Sequence, residues 1–191
     1  QEPKLYCLET PGIELQMDAC YPYGRDRKIA VFDAIDDCSR YVYGKIYNVE
    51  NDRNAIDFVK NLINNVPFKI QRIRVDNRYG RQFQSFCEYI GIEVIYNDPY
   101  TPQQNGKIER FHKTLKRELF WRHCSFQDSY EILQYKLTQY LKHYNYSRKH
   151  SGYGMNRLTP AQKIAISTLN NYSLSLIYPQ KVTLTVQQYN V

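Results

Sequence analysis

Ile13-Glu14-Leu15-Gln16-Met17-Asp18-Ala19-Cys20 alternates apolar and polar side chains. That is the period-2 pattern of a strand with one face turned to a core. Two more strand candidates follow, Ile29–Ile35 and Tyr41–Tyr47, separated by the polar turn Asp36-Asp37-Cys38-Ser39-Arg40. Such short connections let the three strands pair as an antiparallel meander. Asn51 or Asp52 then caps a helix with Ile56, Val59, Leu62/Ile63 and Val66 inward, and Pro67 ends it. Ile70–Val75 reads as a strand, Phe83–Ile90 as a short helix and Ile92–Tyr96 as a strand. Strands separated by helices imply crossovers, hence parallel pairing. The expected fold is therefore α/β: a mixed five-stranded sheet, three antiparallel strands then two parallel ones, flanked by helices.

Beyond Asn97–Asn105 the pattern turns helical. Ile108, Phe111, Leu115 and Leu119 recur at helical spacing. Ser125 with Asp128 resembles a capping box opening a helix with Leu133, Leu137, Leu141 and Tyr144 on one face. Thr159-Pro160-Ala161-Gln162 supplies a cap, a proline at the first helical position and a glutamine three residues after the cap. Leu174–Tyr178 and Val182–Tyr189 read as strands around Pro179. The expected organisation is a main domain over residues 1–165, with residues 166–191 a β-rich extension or the start of a truncated module.

A chain of 191 residues with 42% hydrophobic and 15% aromatic residues can build a proper core. No apolar run approaches the ~18 residues of a membrane span. The five cysteines form no CxxC pair and the four histidines no HxxxH spacing, so no structural zinc site is expected and the thiols are expected to be reduced. Charge is uneven. Residues 1–100 carry 13 Lys/Arg against 15 Asp/Glu, a net of −2, whereas residues 101–165 carry 12 against 4, a net of +8. Basic charge concentrated in one part fits a polyanion partner, or simply a solvated helical face. Of the 19 tyrosines, Tyr21, Tyr23, Tyr140, Tyr144, Tyr146 and Tyr153 could stack on bases, line a subunit interface or do ordinary packing.

Three carboxylates hold positions from which chemistry could come. Asp18 lies mid-strand on the polar face, Asp76 ends a strand, and Glu109 lies in the first turn of the basic helix. Two strands of one sheet and a helix across its edge can bring three carboxylates together. Such a cluster repels itself unless a cation sits in it. All-oxygen ligands suit Mg²⁺ or Mn²⁺. Position alone does not choose these three over Asp33, Asp36, Asp37 and Glu118, because strand-end aspartates also form turns and first-turn glutamates complement the helix dipole. Glu109, Lys113 and Lys116 share one helix edge, which serves equally as a salt-bridged surface or as a phosphate-binding strip.

The string Tyr100-Thr101-Pro102-Gln103-Gln104-Asn105-Gly106-Lys107-Ile108-Glu109-Arg110-Phe111-His112-Lys113-Thr114-Leu115-Lys116 closely resembles the third motif of the retroviral-type integrase and insertion-sequence transposase core, the Asp, Asp, Glu family. Glu14–Asp18 resembles its first-strand motif, Ala34–Tyr41 its turn between strands two and three, and Val75-Asp76-Asn77 its second-aspartate motif. His143-Tyr144-Asn145, Arg148, His150 and Leu158–Ala161 are similar to the helical tail of bacterial insertion-sequence transposases. The resemblance spans roughly residues 10–165. It departs at two points: Asn77 is followed by Arg78 rather than glycine, with Gln82-Phe83 where the family has Glu-Phe. The spacing of 33 from Asp76 to Glu109 is also a few residues short.

The resemblance implies an RNase H-like fold and a DNA transposase or integrase that cuts element DNA ends and transfers the freed 3′ hydroxyl to target DNA. It implies Asp18, Asp76 and Glu109 as catalytic, metal-binding residues for Mg²⁺ or Mn²⁺, two ions when DNA is bound. It implies Tyr100, Gln103, Asn105, Lys113 and Lys116 as DNA-binding, Asp33, Asp36 and Asp37 as structural, and a homodimer or higher homo-oligomer. The expected location is a bacterial cytoplasm, at the nucleoid, for an excised core of a mobile-element enzyme whose end-recognition module lies elsewhere. The alternatives are a catalytically impaired nucleic-acid-binding or assembly module of the same fold, motivated by the altered Asp76 loop, and an RNase H-like nuclease without joining activity.

Overall fold

A computed structural model describes residues 7–98 and 105–177, with side chains described as far as residue 170. Five strands, β1 (Glu14–Cys20), β2 (Ala30–Asp36), β3 (Val42–Tyr47), β4 (Arg72–Val75) and β5 (Glu93–Tyr96), form one sheet in the order β3-β2-β1-β4-β5. β1–β2 and β2–β3 are antiparallel; β1–β4 and β4–β5 are parallel. This is the mixed sheet expected from the chain pattern. The helix α1 (Asp52–Asn65) carries the chain from the β3 edge back to β4 beside β1, and α2 (Arg81–Tyr89) carries it on to β5.

The sheet is covered on both faces. One core gathers Leu15, Met17, Phe32, Phe58, Leu62, Ile73 and Phe83 beneath α1 and α2. The other gathers Cys20, Val31, Ile35, Val42 and Ile46 against Ile108, Phe111, Leu115, Leu133 and Leu137, from α3 (Gly106–Leu115) and α5 (Tyr130–Tyr146). β1 is therefore not half-buried as its alternation implies. Glu14, Gln16 and Cys20 are buried, because α3 lies across the face that reads as solvent-facing. Helix α3 runs on into a π-helical turn, Lys116–Phe120, and a last turn, α4 (Trp121–His123).

Three local expectations need correction. Asn51 caps α1 by accepting the Asn54 N–H at 2.8 Å, but the buried face is Ala55, Phe58, Val59 and Leu62. Phe58 decides this rotation by packing 5.8 Å from Phe32 and 5.6 Å from Tyr43, ring centre to ring centre, which leaves Ile63 exposed. Ser125 and Asp128 close a turn on themselves, and Ser129 caps α5 by accepting from Ile132. The strand expected at Leu174–Tyr178 is helical as far as Ile177, because α6 (Pro160–Ile177) continues through it and across the expected boundary at 165. Tyr178 and Val182–Tyr189 lie outside the described residues. The Thr159–Gln162 capping box does form, with Thr159 N–H donating to Gln162 Oε1 at 3.0 Å and Gln162 N–H to Thr159 Oγ1 at 3.2 Å. No helix among the described residues is long and apolar enough to cross a membrane.

The open β3 edge is closed by side chains of α5. Asn145 accepts from Val42 N–H at 3.0 Å and donates to Val42 C=O at 2.8 Å, while Gln134 accepts from Ile46 N–H at 2.8 Å. A strand edge left bare invites pairing with another chain, and these bonds remove that liability. Asn145 is buried, so Asn145→Ala leaves two backbone groups without partners. It is expected to lower unfolding free energy by about 2–4 kcal/mol, read from urea midpoints; a loss below about 0.5 kcal/mol would show that water replaces both bonds.

Candidate active site

Glu14, Gln16, Asp18 and Cys20 point to the α3 side of β1. Gln16 Oε1 accepts the Ile108 N–H at 3.1 Å and so docks the first turn of α3 on the strand. On the neighbouring strand, Arg72 and Arg74 hold the buried Glu14 carboxylate at 2.9 and 2.8 Å. Burial pushes the Glu14 carboxyl up, but Arg74 and Arg72 outweigh it and hold it below the ordinary range. The parallel register pairs Gln16 with Arg74. Two residues further along each strand, Asp18 and Asp76 come abreast, Asp76 being the first residue beyond β4.

One side chain joins them. The Arg78 guanidinium donates through Nη2 to Asp18 Oδ1 at 3.1 Å, through Nε to Asp76 Oδ2 and through Nη1 to Glu50 Oε2 at 2.9 Å. Its backbone N–H donates to Asp76 Oδ1 at 3.1 Å, and the Tyr79 hydroxyl donates to the other Glu50 oxygen at 3.4 Å. Burial raises the Asp18 carboxyl, with His112 and Arg78 opposing, and it raises Glu50 against the pull of Arg78. The carboxylates raise the guanidinium in turn, against its own burial.

His112 occupies the other side of Asp18. Its Nδ1 lies 3.9 Å from Asp18 Oδ2 and its Nε2 3.3 Å from Asp33 Oδ2. Asp33 is the cross-strand partner of Asp18 and is fully buried, with no hydrogen-bond donor among the described residues in line with either oxygen. Gly44 makes room for it, since a Cβ there would collide with Asp33 Oδ1. Burial pushes the Asp33 carboxyl up to about 6, with His112 opposing. Asp36 and Asp37 take structural places. Asp36 accepts from Ser39 N–H at 2.7 Å and Gly12 N–H at 2.8 Å, and Asp37 pairs with Lys107.

Of the residues singled out in the sequence, Asp18 and Asp76 are thus brought together. Glu109 is exposed in the first turn of α3, three residues before His112. Lys113 is exposed and Lys116 half-buried further along the same helix. Asn105 caps α3 by position but makes no side-chain capping bond. Tyr100 and Gln103 lie outside the described residues. Tyr144 is core, whereas Tyr146 and Tyr153 are exposed. Sequence reading passed over Glu50, Arg78 as a ligand of carboxylates, and His112. The one visible signal was the arginine standing where the resembled motif has glycine.

The donor set at Asp18 and Asp76 is all oxygen, and one guanidinium bridges the two carboxylates through separate nitrogens. These residues fit a hard divalent ion such as Mg²⁺ or Mn²⁺. A different grouping, Cys20, Asp33 and His112, has its ligand atoms within 4.8 Å of one another, wholly buried beneath Asp18.

A five-stranded mixed sheet in the order β3-β2-β1-β4-β5, covered by helices on both faces, is the RNase H-like fold. Two family models, both described as integrase core domain, match residues 9–102 and 90–160. The chain belongs to the integrase core domain family. It is 33% identical over 187 residues to "Putative integrase ORF3" of Spiroplasma virus SpV1-C74, covering 84% of this chain and 48% of that protein. It is 32% identical over 115 residues to the Gag-Pro-Pol polyprotein of squirrel monkey retrovirus, covering 58% of this chain and 6% of the polyprotein. Among solved structures, the catalytic core domain of BIV integrase superposes with a TM-score of 0.64 at 22% identity, over 84% of this chain and 99% of that one. The chain thus spans about half the length of the first relative and a small part of the polyprotein.

The folded chain holds the Asp33 proton to a higher pH than the unfolded chain does. Asp33 therefore costs stability as pH rises from about 4 to about 6, by up to about 1.4 kcal/mol per pH unit. Asp33→Asn is expected to flatten that part of the stability profile in urea titrations. An unchanged slope would mean that Asp33 keeps the same protonation in the folded and unfolded chain over this range.

Proposed function

We propose that this domain is the catalytic core of a DNA integrase or transposase, cutting element DNA ends and joining the freed 3′ hydroxyl to target DNA. The observation that carries this reading is the convergence of Asp18 and Asp76 on one cation at the edge of β1 and β4, beside the helix that bears Glu109. Family membership supports the same reaction class. The chemistry that Mg²⁺ or Mn²⁺ supplies in such an all-oxygen site is activation of a hydroxyl nucleophile and stabilisation of the leaving oxygen of an in-line displacement at phosphorus.

The residues of the chain divide the remaining work. Asp18, Asp76 and Glu109 hold the divalent ions, two when DNA is bound. His112 stands against the second Asp18 oxygen and keeps that carboxylate oriented. Lys113 and Lys116, on the basic side of α3, neutralise phosphates on either side of the scissile one. Tyr100, Gln103 and Asn105, leading into α3, lie against the DNA end. The whole enzyme acts as a homodimer or larger homo-oligomer on DNA.

Glu109 is exposed and outside both cores, so Glu109→Gln is expected to leave the circular-dichroism spectrum and melting temperature unchanged. Metal-dependent cutting and joining of a labelled duplex should fall by at least about 10³-fold, the scale of losing one group that acts on the transition state. Strand transfer retained by this variant would overturn the mechanism, and cleavage without joining in the unaltered protein would mark a nuclease of the same fold.

A further inference from the structure

The feature that the proposed function leaves unused is Arg78. A site for two divalent cations needs its carboxylates free of other cations, yet here a guanidinium lies among them. Its three nitrogens go to three carboxylates that the chain supplies from separate places: Asp18 from mid-β1, Asp76 from the end of β4 and Glu50 from the segment after β3. The backbone N–H of the same residue fixes Asp76 from a second direction. Asp18 has its other oxygen turned towards His112. Both oxygens of Asp18 therefore already face nitrogen-bearing side chains of the same chain.

The surroundings make this arrangement more than a surface ion pair. Glu50 and Asp18 side chains are only 7% and 14% exposed, so neither can be neutralised by water and mobile salt alone. Arg78 itself is 44% exposed, so its guanidinium has an open route away from the cluster. The fixed planar fork of arginine also suits several oxygens at once in a way that a lysine ammonium does not. The cation is in place, held by desolvated partners and able to leave.

We propose that Arg78 is a built-in competitor of the metal. In the metal-free protein its guanidinium neutralises Asp18, Asp76 and Glu50 and holds them together. Divalent ions enter only as it withdraws, which leaves Glu50 as a carboxylate beside the site with its tie to Tyr79 intact. This inference rests on the metal-binding reading of Asp18 and Asp76. It implies that the protein requires a higher metal concentration than the same carboxylates without the arginine, and that the fold does not need metal to keep them in place.

The test is direct Mn²⁺ binding to the whole chain, followed by the electron paramagnetic resonance signal of free Mn²⁺, with melting temperature recorded alongside. Arg78→Gln keeps a polar side chain but removes the charge, Arg78→Lys keeps a charge without the fork, and Asp18→Asn removes a ligand. Arg78→Gln is expected to bind Mn²⁺ at least tenfold more tightly than the unaltered protein, to melt lower without metal and to gain more in melting temperature when Mn²⁺ is added. Arg78→Lys should fall between them. Equal affinity in the unaltered and Arg78→Gln proteins, with binding lost in Asp18→Asn, would overturn the competition and leave the metal site standing. Absence of Mn²⁺ binding in both would overturn the metal-site reading and the competition with it.

Discussion

Asp18, Asp76 and Glu50 meet at one end of the sheet, and carboxylates so placed cannot all stay ionised without a cation among them. Two unit charges about 4 Å apart interact by about 4 kcal/mol at the effective dielectric of a protein surface region, comparable to much of a small domain's net stability. Arg78 supplies that cation here. The sheet order is what creates the problem. Returning through α1 places β4 beside β1 in parallel, and parallel pairing aligns the strands so that Asp18 and Asp76 come level.

The same end of the sheet is stiffened from beneath. Gln16 ties α3 to β1 through the Ile108 N–H, and His112 is wedged between Asp18 and the buried Asp33. Gly44 on β3 gives up its side chain so that Asp33 fits. A polar layer thus runs from β2 through β1 to α3 inside an otherwise apolar face. Through Gln16 and His112 this layer joins α3, the helix that bears Glu109, to the strand that carries Asp18.

Local patterns were legible where one element interacts mainly with itself. The five strands, the helices between them and the Thr159 capping box follow from periodicity and caps, which depend on neighbours within a few residues. Reading failed where a distant element chose the outcome. The polar side of β1 looks like a solvent face until α3 covers it. The α1 face turns by one position because Phe58 finds Phe32 and Tyr43. Nothing near Ser125 says that the box there will close as a turn, with α5 starting at Ser129 instead.

The sequence by itself determined the order of elements, the alternating strands and the short motifs through which Asp18, Asp76 and Glu109 resemble a known triad, since these reside in stretches read one at a time. The tertiary structure alone decided that Arg78 and Glu50 stand with Asp18 and Asp76, and that Asp33 lies under His112. Those residues come from segments far apart in the chain and share no periodicity. Only the register of β1 against β2 and β4, with α3 docked across them, brings their charges within reach of one another.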